Sequence, residues 1–104
     1  PVAIDQVYAR MLKMVELGIP YDLIFQQTAD ARLMRDFIKR LEQRVEKVQT
    51  ISQSAEENRY RIYLLGEVED LQDLVFDTSD LFPALRNIQL VYQRGKSITF
   101  TTGL

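Results

Sequence analysis

Apolar residues recur along this chain in two rhythms, one helical and one alternating. Ile4, Val7, Tyr8, Met11, Leu12 and Val15 fall at steps of three and four. That spacing predicts the apolar face of an amphipathic helix over about residues 3–17. Gly18 supplies a helix C-cap, and Pro20 can open a short second helix over about 20–27, because a first-turn position needs no amide hydrogen. Thr28 then offers an N-cap for the segment that follows.

From Tyr21 to Leu65 there is neither glycine nor proline, and over 29–57 strong helix formers dominate. With successive residues about 100° apart on a helical wheel, Leu33, Met34, Phe37, Ile38, Leu41, Val45, Val48 and Ile51 share about 140° of arc. The stripe is wider than a two-stranded coiled-coil seam and suits a bundle helix with several neighbours. A helix over 29–57 is about 43 Å long at ~1.5 Å per residue. A compact chain of this size is about 33 Å across. Such a helix must project from its domain or be covered by a second chain.

Residues 58–77 support two readings. "NRYRIYLLG" is aromatic and β-branched enough for a strand ending at Gly66. Leu64, Val68, Leu71 and Val75 instead step as on a helix, and a returning helix over about 60–77 is the preferred expectation. In the tail, Ile88, Leu90 and Tyr92 alternate with polar residues, Gly95 makes a turn, and Ile98 and Phe100 alternate again. This predicts a β-hairpin over about 88–102. The expected fold class is therefore α+β and predominantly α, in one domain over 1–104. It has a long amphipathic helix within a small helical bundle and a C-terminal β-hairpin.

Composition narrows the chemistry. The 104 residues include no cysteine and no histidine, which excludes disulfides, thiolate nucleophiles and histidine-based triads or zinc sites. No apolar run is long enough to span a bilayer, and the first residues lack the layout of a secretory signal. A soluble cytoplasmic protein is expected, with no cofactor and no bound metal.

Charge is unevenly spread although the net is −2. Residues 32–55 hold six basic and three acidic side chains, whereas residues 56–80 hold two basic and eight acidic. Such blocks invite one segment to lie against another. Arg40, Arg44 and Lys47 form a row at the edge of the apolar stripe, placed to meet the acidic block. Glu69, Asp73 and Asp77 would be successive neighbours on a helix and are the candidate Mg²⁺ ligands, against a plain solvated acidic face.

These features predict a non-enzymatic, self-associating structural or regulatory protein. It would oligomerise through its helices, as a homodimer in the simplest case, and bind another macromolecule, a protein in the first instance. The expected interface residues are Phe37, Ile38, Leu41, Arg44, Val45, Val48 and Ile51. The alternative is a small dimeric nucleic-acid-binding regulator that offers Arg32, Arg35, Lys39, Arg40 and Lys47 to phosphates. A sequence pI near 5.1 weighs against it. A magnesium-dependent carboxylate enzyme is the remote third expectation.

Overall fold

A computed structural model describes residues 18–102. The chain runs β1 (Ile19–Gln26), α1 (Ala31–Glu42), β2 (Lys47–Gln53), β3 (Glu57–Leu64), α2 (Val68–Ser79), a 3-10 turn (Pro83–Leu85), β4 (Gln89–Arg94) and β5 (Ser97–Thr101). The strands form one mixed sheet in the order β2-β3-β1-β5-β4. β1 lies at its centre, antiparallel to β3 and parallel to β5. A β2–β3 hairpin and a β4–β5 hairpin flank it.

This architecture corrects the predominantly helical expectation. There is neither a helical bundle nor a coiled coil among the described residues, which hold two helices of 12 residues each beside five strands. The expected helix over 3–17 lies outside the described residues.

Residues 20–27 are not a helix. Tyr21, Leu23 and Phe25 alternate into the core, and β1 takes a period of two. Pro20 falls before β5 begins to pair at Asp22, where β1 has a neighbour on one side only and a missing amide hydrogen is tolerated.

The helix expected over 29–57 ends at Glu42. Asp30 caps its start, accepting from the Leu33 amide at 3.0 Å, and Lys39 and Arg40 favour the negative end of its dipole. At its end the Gln43 amide turns back to the Arg40 and Leu41 carbonyls. Three residues later the Glu46 amide donates to the Tyr63 carbonyl and strand pairing begins. No glycine or proline marks this break. The Val48, Thr50 and Ile51 of "KVQTISQ" prefer the strand once β3 offers a ladder.

Likewise the helix expected over 60–77 is β3 up to Leu64, a bend, and α2 from Val68. The Glu67 amide donates to Asp70 Oδ2 at 2.8 Å and fixes the start of α2. The tail does form a hairpin, β4 and β5, turning at Gly95 with φ of 58°.

Both helices lie on one face of the sheet. Phe25 of β1 meets Phe37 of α1 at a centroid distance of 5.3 Å and stacks on Phe100 of β5 at 5.8 Å. Phe76 of α2 stands edge-on to Phe100 at 5.5 Å. Tyr60, Ile62, Leu71, Val75, Leu85 and Ile98 complete a single core between sheet and helices.

Candidate binding surface

Register places every strand side chain on one of two faces. The face toward the helices takes Tyr21, Leu23, Phe25, Tyr60, Ile62, Ile98 and Phe100, all buried. The opposite face takes the alternate residues. One cross-strand row reads Gln49, Arg61, Asp22, Ser97 and Arg94, and the next reads Ser52, Arg59, Ile24, Thr99 and Tyr92. Below them Lys47 pairs with Tyr63, its ammonium 5.9 Å from the ring centroid. Among the described residues no helix covers this open face, because α1, α2 and Leu85 of the 3-10 turn all pack on the other side.

The open face is polar at its edges and shallow at its centre. Ile24 is half-buried and Thr99 buried, and a hollow of about 120 Å³ is lined by Asp22, Ile24, Ile51, Arg59, Arg61 and Ser97, with Tyr60 beneath. Two guanidiniums therefore stand over one depression. Arg61 Nε reaches Asp22 Oδ1 and Arg59 Nε reaches Glu57 Oε2, each at 3.4 Å. Both ion pairs are solvent-exposed, so screening leaves them weak and replaceable by a more highly charged anion. The strands put four basic side chains on this face, Lys47, Arg59, Arg61 and Arg94, against two acidic ones. The acidic residues of α2 lie on the far side of the sheet.

Both edges of the sheet carry a bulge. The register slips between Thr50 and Ser52 on β2, leaving Ile51 unpaired, and between Leu90 and Tyr92 on β4, leaving Val91 unpaired. Bulged edges resist the addition of a further strand.

A second polar feature sits at one end of the sheet, a cleft of about 310 Å³ between residues 28–31 and 53–58. The Thr28 hydroxyl donates to the Ser54 carbonyl at 2.7 Å. Asn58 Oδ1 accepts from the Ser54 amide, and Asn58 Nδ2 donates to the Tyr60 hydroxyl at 3.0 Å. Burial pushes the Tyr60 phenol above its ordinary range, with the Asn58 hydrogen bond opposing the rise. Tyr21 is shifted the same way by burial and by the carboxylates Glu67, Asp70 and Glu69, and its hydroxyl donates to the Gly66 carbonyl at 2.7 Å. Each of these groups is satisfied by a neighbour in the chain; the Thr28, Ser54, Asn58 and Tyr60 network braces the β2–β3 turn, while Tyr21 ties β1 to the bend after β3.

The residues expected at an interface are divided by the fold. Phe37 and Leu41 are 0% exposed and Ile38 8%, inside the chain's own core. Val45 and Val48 pack partly against that core, and Arg44 is exposed in the turn after α1. Ile51, half-exposed, lines the open-face hollow. Of the expected phosphate contacts, Arg32, Arg35, Lys39 and Arg40 are exposed on α1, while Lys47 alone is on the open face. Asp70 is engaged with the Glu67 amide, and no group of three or more acidic side chains among the described residues converges on a point where a metal could sit.

Arg59, Arg61, Tyr63, Tyr92 and Arg94 escaped the sequence reading as surface residues. The period of two in "RYRIY" was the available signal, and the helical reading of 60–77 scattered it. No described helix is long and apolar enough to cross a membrane. The chain matches no family model, no curated protein and no solved structure.

Proposed function

We propose that this chain is a non-enzymatic binding module that meets another macromolecule through the open face of its sheet. One observation carries the reading: the described helices cover one face, while the other presents Lys47, Arg59, Arg61, Arg94 and two tyrosines in register. The basic–aromatic face supports recognition of an anionic partner by ion pairing and ring contact, functions that need no nucleophile or metal. The apolar stripe of α1 is consumed within the chain's own core, so a dimer would have to draw on other surfaces.

The test compares three immobilised proteins in a cell lysate: wild type, Arg59→Glu/Arg61→Glu on the open face, and Arg35→Glu/Lys39→Glu on α1. Protein and nucleic acid in each eluate are quantified separately. Wild type and the α1 variant should retain the same macromolecule, and the open-face variant should lose it. Equal retention by all three, or none by wild type, overturns the reading.

A further inference from the structure

Resting on that reading, we infer that the partner is a single-stranded nucleic acid. Along β3 the open-face side chains are Glu57, Arg59, Arg61 and Tyr63, and along β4 they include Tyr92 and Arg94. β3 thus carries two guanidiniums followed by a phenol ring and β4 a phenol ring followed by a guanidinium, and successive same-face residues lie about 6.8 Å apart at ~3.4 Å per residue. That spacing is comparable with the separation of phosphates along an extended strand. Guanidiniums can hold those phosphates while the rings stack on bases, the combination that binds single strands with little sequence preference. Between the two columns run Ile24, Ser97 and Thr99, small or apolar groups over which bases can lie flat, and Asp22, whose exposed ion pair with Arg61 a phosphate would have to displace.

Other partners fit less well. A protein interface needs a dehydrated apolar centre, and this face offers a half-buried Ile24 and the bulged Ile51 in its place. A duplex groove admits a helix or a two-stranded ribbon, whereas this platform is five strands wide. The bulges on β2 and β4 oppose a partner that would extend the sheet. The overall charge of −2 is no obstacle, because the acidic excess sits on α2, across the sheet from the face.

The experiment is fluorescence anisotropy with labelled oligo(U), oligo(dT) and a mixed-sequence duplex, across a salt series, on the full chain. Wild type should bind the single strands, prefer them to the duplex, and weaken steeply as salt rises. In Arg59→Glu/Arg61→Glu the slope of log affinity against log salt should fall by about 1.4, at ~0.7 per phosphate contact on a single strand. Tyr92→Ala, an exposed edge-strand change that leaves the charge intact, should weaken binding about tenfold through lost stacking with the slope unchanged. Arg35→Glu/Lys39→Glu on α1 should bind as wild type. No binding at low salt, equal affinity for duplex, or loss through the α1 variant alone each overturns the inference. If the lysate experiment shows a protein retained through the open face and these oligonucleotides do not bind, the inference fails and the binding-module reading stands. If the open face retains nothing, both fail.

Discussion

Phe37 of α1 stands edge-on to Phe25 of β1, ring centroids 5.3 Å apart and planes at 80°, and neither ring has exposed surface. The stripe that suggested a second chain is thus satisfied by the sheet of the same chain. Phe37 also meets Phe82 at 6.0 Å, so its ring joins α1 to the segment after α2. Phe37→Ala should cost about 3–5 kcal/mol, the range for deleting a buried aromatic side chain, read as a fall in the urea midpoint. A variant that lowers the mass in solution while keeping wild-type stability would contradict this placement.

Gly18 and Gly95 both have positive φ, 80° and 58°, yet they should respond differently to alanine. A methyl group at Gly18 would sit 2.4 Å from the Leu64 carbonyl carbon and 2.6 Å from its oxygen, both backbone atoms that cannot swing aside. At Gly95 nothing lies within 4 Å. Gly95→Ala should therefore cost only the backbone term of about 1–2 kcal/mol. Gly18→Ala should cost clearly more, since β1 and the end of β3 would have to part. Thermal midpoints of the two variants side by side check the order.

Alkaline stability should depend on Tyr60, alongside Tyr21, whose pKa is raised in the same direction. Burial raises the folded-state pKa of Tyr60 above the ordinary value of 10.0, so the folded state favours the neutral phenol. A raised pKa contributes stability that is complete below the unfolded-state value and is lost as pH climbs through the folded-state value. Stability should accordingly be flat near neutrality with respect to this group and decline above about pH 10, where unfolded tyrosine ionises first. Tyr60→Phe should flatten that decline, though it removes the acceptor of Asn58 Nδ2 and lowers stability at neutral pH by about 1–3 kcal/mol. Urea midpoints of both proteins across the alkaline range test it, and an equally steep decline in the variant would refute the assignment.

What the sequence made legible follows from where local preference and tertiary pairing agree. The C-terminal hairpin was readable because Gly95 and the alternation on either side point the same way. The apolar residues of α1 were readable as a face, since Met34, Phe37, Ile38 and Leu41 do pack together. Val45, Val48 and Ile51 continued the same three-step spacing by coincidence. In the fold Val48 faces the core from a strand and Ile51 is displaced by a bulge. Spacing cannot separate these cases, because a ladder to β3 exists only after residues 57–64 have returned. Pro20 misled in the opposite direction, as a residue equally at home in a first helical turn and in a one-sided stretch of strand. The open face was hidden by the same error, because a period of two read as helix disperses Arg59, Arg61 and Tyr63 around an axis.

Thr78 offers the reverse kind of test, a substitution that should stabilise. It lies on α2, fully buried, and its hydroxyl oxygen has no hydrogen-bond partner. A buried hydroxyl without a partner forfeits its hydration and gains nothing in exchange. Valine has nearly the same shape, the same branching at Cβ and a similar helix propensity, so Thr78→Val exchanges the oxygen for a methyl group with little disturbance to packing. The core around α2, with Leu71, Val75 and Leu85, is apolar and suits that methyl. The variant should gain about 1 kcal/mol, at the low end of the penalty for an unsatisfied buried group. It should appear as a higher urea midpoint at unchanged slope. A loss of stability of similar size would mean that the hydroxyl is satisfied in solution, by an ordered water or by a shift of its rotamer.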